Sequence, residues 1–526
     1  MRKPNRRQWL KGMTAGTLWS ALPLPDARAA TAEYQLFWGD LHNHNAVGYA
    51  KGSLERTYDI ARSHLDFLAF TPHAQWHDMP VMPNNAHDKW VKGFAVLREQ
   101  WPKVQKMAAA YNQPGKFASF LAYEWHSSFF GDYCVYYPDD NRPLSYFDHV
   151  RDLQKYAREA KATIIPHHLA YKQGWRGANW EFLDPSVSPV LEIYSEHGLA
   201  ERDRGPQDYI THSNGGRWTR NTLRAALKKG FKVGVIASSD DHLGYPGAWG
   251  EGMAGIYAKD LSRKSLLDAM WARRTIAITG DRIGLVAKLN GGWMGSSLPF
   301  TADREIEVVA AGQDEVERVD VIKNDRVIHR YFPEDHAAAG SRWPGESLCR
   351  LEFGWGPWAA LGMARVCDWE ATVTIRGGTL VSVTPCFQAG PFDEERRNRI
   401  VARSENSCRI QLYSSRLEAF EERATNAVVL HIKGDPSAAV ELELTKPAKM
   451  TFRKTLGELA ENNEIEFTGP FTSESFVVHR LVTPDLFRAN FRITDRGRRG
   501  QTDWYYARVT QTNGQMAWSS PIWVEG

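Results

Sequence analysis

From Gln35 to Thr279, short apolar runs alternate with longer amphipathic stretches, and nearly every run stops at a histidine or a carboxylate. The alternation dictates strand–helix units and a largely parallel sheet or barrel, because strands that run parallel need a long crossover between them. The expected strands are Gln35–Trp38, Leu65–Phe70, Phe117–Ala122, Ala162–Ile165, Val190–Tyr194, Lys232–Ala237 and Thr275–Thr279. Helices fall between them at Leu54–Ser63, Asp88–Tyr111, Leu153–Glu159, Asn221–Lys229 and Arg263–Arg273. After about residue 284 period-two alternation takes over, with hairpin turns expected at Gly377-Gly378 and Asn513-Gly514. The chain is therefore expected to divide into a β/α unit over 30–284 and an all-β, sandwich-like domain over 285–526. A Pro-, Gly- and Trp-rich loop insertion is expected near 333–360.

The residues that end the first-half strands carry the chemistry. Asp40-Leu41-His42-Asn43-His44 follows the first strand, His73 the second and Glu124 the third. His167-His168 follows the fourth, Glu192 to His197 sits at the fifth, and Ser239-Asp240-Asp241-His242 follows the sixth. Parallel strands open their carboxyl ends onto one face, so residues two hundred apart in the chain converge there. Imidazoles supply neutral nitrogen ligands, and carboxylates offset charge and bridge ions, which is what a cluster of divalent cations demands. Histidines 42 and 44, at i and i+2, point the same way and can grip one ion; Asp240 and His242 repeat the device. Of the 17 histidines, 13 lie between His42 and His242, so the density itself singles out this half. His64, His87, His149 and His212 fall away from strand ends and read as ordinary surface or core residues. His77 and His126 are left open as outer or substrate-facing groups. Arg176 and Lys172 read as solvated loop charges, with binding of an anionic substrate group as the alternative.

The first 29 residues, with Arg6-Arg7 before a short apolar run and Ala27-Arg28-Ala29, have the order of a twin-arginine export signal. The run is too short and too interrupted for a membrane anchor. The expected location is periplasmic or secreted, by way of the twin-arginine machinery and without stable membrane insertion. Removing that segment reduces 65 basic and 62 acidic residues to 59 and 61, a net charge of −2. A nucleic-acid partner, which calls for a large positive excess, is excluded on this ground. The five cysteines, Cys134, Cys349, Cys367, Cys386 and Cys408, have no zinc-finger spacing.

The segments Trp38-Gly39-Asp40-Leu41-His42-Asn43-His44, Leu65 to His73 and Ser239-Asp240-Asp241-His242 resemble the hallmark segments of the PHP (polymerase and histidinol phosphatase) superfamily. The chain as a whole looks like an uncharacterised PHP-like family with a C-terminal β domain, on Arg273 to Asp281 and Ala517 to Trp523. The resemblance implies a distorted seven-stranded β/α (TIM-like) barrel followed by the β domain. It also implies two or three divalent ions, zinc, manganese or iron. Carried over, His42, His44, Glu124 and Asp240 hold one ion, Glu124 bridges to a second held by His167, and His73 with His242 hold a third; His168 and His197 are further, unranked candidates. Where the superfamily usually has a ligand about eight residues after the first histidine, this chain has Ala50 with Tyr49 beside it. Between Glu124 and His167, Gly131-Asp132-Tyr133 offers only Asp132.

Asp240, His242 and Glu124 are the expected catalytic residues of a metal-dependent hydrolase acting on a small-molecule or envelope-derived substrate, by phosphoester hydrolysis through activated water. The alternatives are carboxyl-ester, lactone or amide hydrolysis, and a non-catalytic, metal-stabilised envelope or glycan-binding protein.

Overall fold

The computed structural model describes residues 33–209, 215–337, 345–390, 393–416 and 425–526. The expected export signal over 1–29, His212 and part of the 333–360 segment lie outside the described residues. The architecture is mixed α/β with much sheet and few helices. Among the described residues no helix is long and apolar enough to cross a membrane.

The first half contributes strands β1 (Gln35–Asp40), β2 (Phe67–Phe70), β3 (His73–Trp76), β4 (Ala118–His126), β5 (Asp132–Tyr137), β6 (Thr163–His167), β7 (Val190–Ser195), β8 (Gly198–Leu199), β9 (Gly234–Ala237), β10 (Met253–Ala258) and β11 (Thr275–Ile278). Helices α1 (Leu54–His64), α2 (Asp88–Tyr111), α3 (Val150–Ala160), α4 (Leu223–Lys228) and α5 (Arg263–Trp271) pack between them, close to where the amphipathic stretches predict. Ser53, Thr222 and Ser262 start α1, α4 and α5 by accepting an N–H of the first turn on the side chain.

The expected seven-stranded β/α barrel is not seen among the described strands. β1, β2 and β4 are parallel, as expected, but β5 runs antiparallel to both β4 and β6. Only residues 127–131 join β4 to β5, too few for the crossover a parallel pair requires. β7 and β9 pair in parallel in a separate three-stranded sheet. A single bridge between Asn43 and Asp241 links the segment after β9 to the segment after β1. Because β6 is antiparallel to β5, it runs with β1, β2 and β4, so the ligand-bearing ends still share one edge.

β10 lies antiparallel against β1 and β11 against β10. The sheet then continues into Met516–Ser519, where Ala277 pairs with Trp518. The apolar core follows the sheet: Trp38, Leu68, Tyr123 and Ile276 belong to the same buried cluster as Val319, Val509 and Ala517. In the remaining β-rich sheets, Val366–Cys386 and Asn426–Lys446 are single strands of 21 residues each. Gly377-Gly378 is therefore a bend within one strand and not a hairpin turn; Gly377 sits at φ +74 and the register shifts beside it. The turn at Asn513-Gly514 does form, between Asp503–Gln511 and Met516–Ser519. Glu346–Phe353, expected within a loop insertion, is a mostly buried strand.

A buried polar knot around Glu201 ties the halves together. Glu201 accepts from Arg508 Nη1 at 3.0 and 2.9 Å, from Arg224 Nη2 at 3.0 Å and from Tyr506 Oη at 2.6 Å. Burial pushes the Glu201 carboxyl up, but the Arg508 and Arg224 guanidinium groups outweigh it and hold it at about 2. The folded value lies below the ordinary 4.5. The knot's contribution to stability is thus complete above that ordinary value and is lost as pH falls from there toward 2. The urea midpoint is expected to drop over this window, and Glu201→Gln to flatten that part of the profile.

Candidate metal centre

The edge where β1, β4, β6, β7 and β9 finish is closed by an interlock between two loops. Asp40, at the end of β1, accepts from the backbone of His42 and Ser239 at 3.1 Å each, from Ser239 Oγ at 2.5 Å and from Gly247 N at 2.8 Å. Asp240 N donates to His42 O at 2.7 Å and His44 N to Asp241 O at 2.9 Å. The two paired motifs, separated by about two hundred residues, are thereby held face to face.

Two carboxylates organise what the interlock presents. Glu124 turns Oε1 toward His167 Nε2 at 3.0 Å and His42 Nε2 at 3.9 Å. Its Oε2 faces His73 Nδ1 at 2.6 Å, His126 Nε2 at 3.2 Å and His44 Nε2 at 3.7 Å. Asp240 turns Oδ1 toward His44 and His42 at 2.8 and 3.2 Å, and Oδ2 toward His197 and His168 at 3.0 and 3.5 Å. His242 Nε2 lies 3.3 Å from His73 Nε2. All nine residues predicted as ligands are therefore gathered in one cluster.

His44 Nε2 bonds Asp240 Oδ1, but several of the other short distances do not make hydrogen bonds. Both oxygens of Glu124, Oδ2 of Asp240 and both ring nitrogens of His167 are buried without a partner of good geometry. Buried polar atoms are nearly always satisfied, so a set of orphans aimed at common points fits ligands converging on ions better than a network. Four overlapping groups, His42-His44-Glu124, Glu124-Asp132-His167-His168, His73-Glu124-His126 and His44-His73-His242, each bring their ligand atoms within 4.8 Å of one another. The donor set, imidazole and carboxylate, suits zinc, manganese or iron(II). His168 and Asp240 both sit at positive φ, +51 and +57, and backbone strain of this kind concentrates where function fixes a side chain.

Outer partners orient the rings. Glu192 Oε2 lies 3.1 Å from Nδ1 of His42, Tyr171 Oη 2.6 Å from Nδ1 of His197 and Glu196 Oε1 3.0 Å from Nδ1 of His242. Each leaves Nε2 for the centre, the arrangement that sets the tautomer of ligating histidines. Burial and the charge of His242 press His44 down to about 3, and burial also holds His73 and His168 well below the usual imidazole range, in the neutral form that ligates. Burial disfavours charge on Asp240 and Glu124, but His42 and His126, respectively, lead the rings that reverse this and keep both carboxylates ionised. His42, His126 and His167 are drawn upward, the last to about 10, because anionic neighbours outweigh burial. A field that draws protons onto these lone pairs also draws divalent cations, which compete for the same lone pairs.

The centre is closed on most sides. The side chains of His42, His44, Glu124 and His167 are at most 1% exposed, whereas His242 and Glu196 are 28% and 31% exposed and mark the mouth. Tyr49 stands at the same side, its ring stacked on His73 at 4.0 Å and Oη 3.3 Å from His242 Nε2.

Three members are not among the expected ligands: the sequence leaves His126 open, Asp132 enters only as the residue available between Glu124 and His167, and Arg176 reads as solvated. His126 and Asp132 flank the β4–β5 turn, with His126 Nδ1 3.3 Å from Asp132 Oδ2. Arg176, which reads as a loop charge, grips Asp132 through Nε at 2.8 Å and Nη2 at 2.5 Å. Lys172 is exposed, as expected. His64 bonds Pro246 O, His149 caps α3, His87 accepts from Met82 N and His77 stacks on Trp125. The Glu124-x-His126 spacing on an alternating strand is the one signal that could have found His126.

Comparison with known proteins gives partial matches. A family described as "Protein of unknown function (DUF3604)" matches residues 65–134, a stretch that carries His73, Glu124, His126 and Asp132. An uncharacterised protein of Chlamydia pneumoniae is 27% identical over 187 residues, 33% of this chain and 30% of its own length. Another, from Chlamydia trachomatis, is 27% identical over 198 residues, 35% of this chain and 32% of its own. The matched region thus spans about a third of those relatives. Among solved structures, a two-domain protein of Bacteroides vulgatus containing a predicted PHP-like metal-dependent phosphoesterase aligns over 80% of this chain and 96% of its own, at 12% identity and a TM-score of 0.30.

Proposed function

We propose that the protein is a metal-dependent hydrolase that cleaves phosphoesters. The observation that carries the reading is the division of labour within Glu124 and Asp240, each of which offers its two oxygens to different sets of imidazoles. Carboxylates so placed would hold neighbouring ions, and paired ions would suit in-line displacement at phosphorus. Divalent ions in such a site supply an activated water and a sink for the charge that develops on phosphoryl oxygens.

His42, His44, Glu124 and Asp240 would hold the first ion, and Glu124, His167, His168 and Asp132 the second. His242 has the accessible place. Burial lowers it, but its Glu196 partner raises it further, to about 9 in the ion-free site. With two ions bound, His242 would be placed to protonate the leaving oxygen; with three, it would join His44 and His73 as a ligand. The metal stoichiometry of the purified protein decides between these roles.

The test is metal analysis followed by a screen of phosphomonoester, phosphodiester and carboxyl-ester chromogens. Turnover of a phosphoester that disappears on chelation and returns with added metal is the expected result. Hydrolysis confined to carboxyl esters, or a protein that neither holds nor takes up divalent ions, overturns it. The paired arginines and small-residue site in residues 1–29 support export by the twin-arginine route. Fusion of that segment to a reporter should give export that Arg6→Lys with Arg7→Lys abolishes.

A further inference from the structure

We propose that Cys134 is a sulfur ligand of this centre, joining His167 at the second ion, close to His42, and making that position selective for a thiophilic cation, zinc or iron(II), over magnesium or manganese. The inference rests on reading the cluster as a metal centre.

The backbone register places the thiol there. Glu124 on β4 stands directly opposite Cys134 on β5, and Asp132 on β5 directly opposite His167 on β6. Directly opposed residues project to the same face of a sheet, and so do residues two apart on one strand. Glu124, Asp132, Cys134 and His167 therefore all face the cluster, while Tyr133 and Val135 face the other side. The sulfur and one ring nitrogen from each of His42 and His167 lie within 4.8 Å of one another.

A second observation points to a ligand at the same place. His167 is 1% exposed, and neither ring nitrogen has a hydrogen-bond partner of good geometry. A thiol buried for packing alone would sit among apolar groups as a small hydrophobe. Cys134 is 1% exposed and packs in the apolar cluster of Ala122, Ile165 and Ile236, yet its sulfur also lies beside two imidazoles. Coordination forms a metal–sulfur bond, breaks the S–H bond and releases the proton to solvent. Thiolate is a soft donor, so it favours zinc and iron(II) over ions that prefer oxygen.

The experiment is cobalt(II) titration of the chelator-stripped full chain, reading the near-ultraviolet sulfur-to-cobalt charge-transfer band beside the visible d–d bands. The wild type should develop the sulfur band, saturating at one cobalt per chain. Cys134→Ser should lack it while keeping d–d bands from the other positions, because the remaining cysteines lie at 349–408. Zinc affinity in the variant should fall by more than the roughly 10–100-fold that loss of an outer hydrogen-bond partner costs a metal site. X-ray absorption of zinc-loaded wild type needs no variant and should show a sulfur shell at about 2.3 Å beside nitrogen at about 2.0–2.1 Å. Cobalt d–d bands with neither a sulfur band nor a sulfur shell remove Cys134 from the centre and leave the centre itself standing. Failure to bind cobalt or zinc at all overturns both readings.

Discussion

Glu124→Gln will abolish turnover and strip metal from the protein while leaving the fold in place. Glutamine keeps the size of the side chain but replaces one oxygen with an amide nitrogen that donates and cannot ligate, and it removes a negative charge. Glu124 faces five imidazoles through its two oxygens, so the change disconnects both sides of the centre at once. We expect kcat/KM on the best phosphoester substrate to fall by at least about 100- to 1,000-fold, the scale on which a single preorganised electrostatic contact acts. Bound metal should drop by one or more ions per chain in the same sample. The far-ultraviolet circular dichroism spectrum should be unchanged. A variant that retains its full metal content and turnover would remove Glu124 from the centre.

The largest effect on stability is expected far from the metal centre, at Arg350. Asp281 closes the segment Arg273 to Asp281 and is buried with five N–H contacts on its carboxylate. Arg350 Nη2 reaches both oxygens at 2.7 and 2.8 Å, and Gln511, Asn513 and Trp249 add one contact each at 2.7–2.8 Å. Burial raises the Asp281 carboxyl, but Arg350 more than cancels that and keeps it charged. Arg350→Ala leaves the charge buried without its counter-ion, a change that costs about 3–5 kcal/mol in comparable buried pairs. Urea unfolding should show a loss of that size, and the double variant Arg350→Ala, Asp281→Asn should recover part of it. Equal stability of wild type and Arg350→Ala would mean that the pair carries no net stabilisation.

The centre is the more legible part of this sequence, and the closure of the sheet the less. His42, His44, His73, His167, Asp240 and His242 announce themselves because each follows a short apolar run, and a ligand at the end of a buried strand has little other reason to be there. Glu124 is found by the same rule although its strand runs on to His126. The rule misses His126 and Asp132 because the apolar pattern of β4 fades after Ala122, and Tyr123-Glu124-Trp125-His126 reads as the start of a loop. β5, with an acid at its head and two tyrosines at its tail, has no clean alternation, since both its faces are buried. The antiparallel insertion of β5 and the pairing of β10 with β1 are tertiary choices, and there the described sheet departs from the expected barrel. Arg176 shows the converse limit: a cation in a Gly-flanked loop looks solvated until the fold brings Asp132 to it.

The pairing of β11 with Met516–Ser519 has a consequence for how the molecule is made. Thr279 and Gln515, bonded at 2.7 Å, are separated by 236 positions along the chain. During translation at roughly 5–20 residues per second, β11 emerges on the order of ten seconds or more before its partner strand. Through that interval the nascent chain presents an apolar, unpaired strand flank. Such flanks invite association with other chains, so a chaperone or a temporary internal cover would be most useful between synthesis of β11 and release of the ribosome.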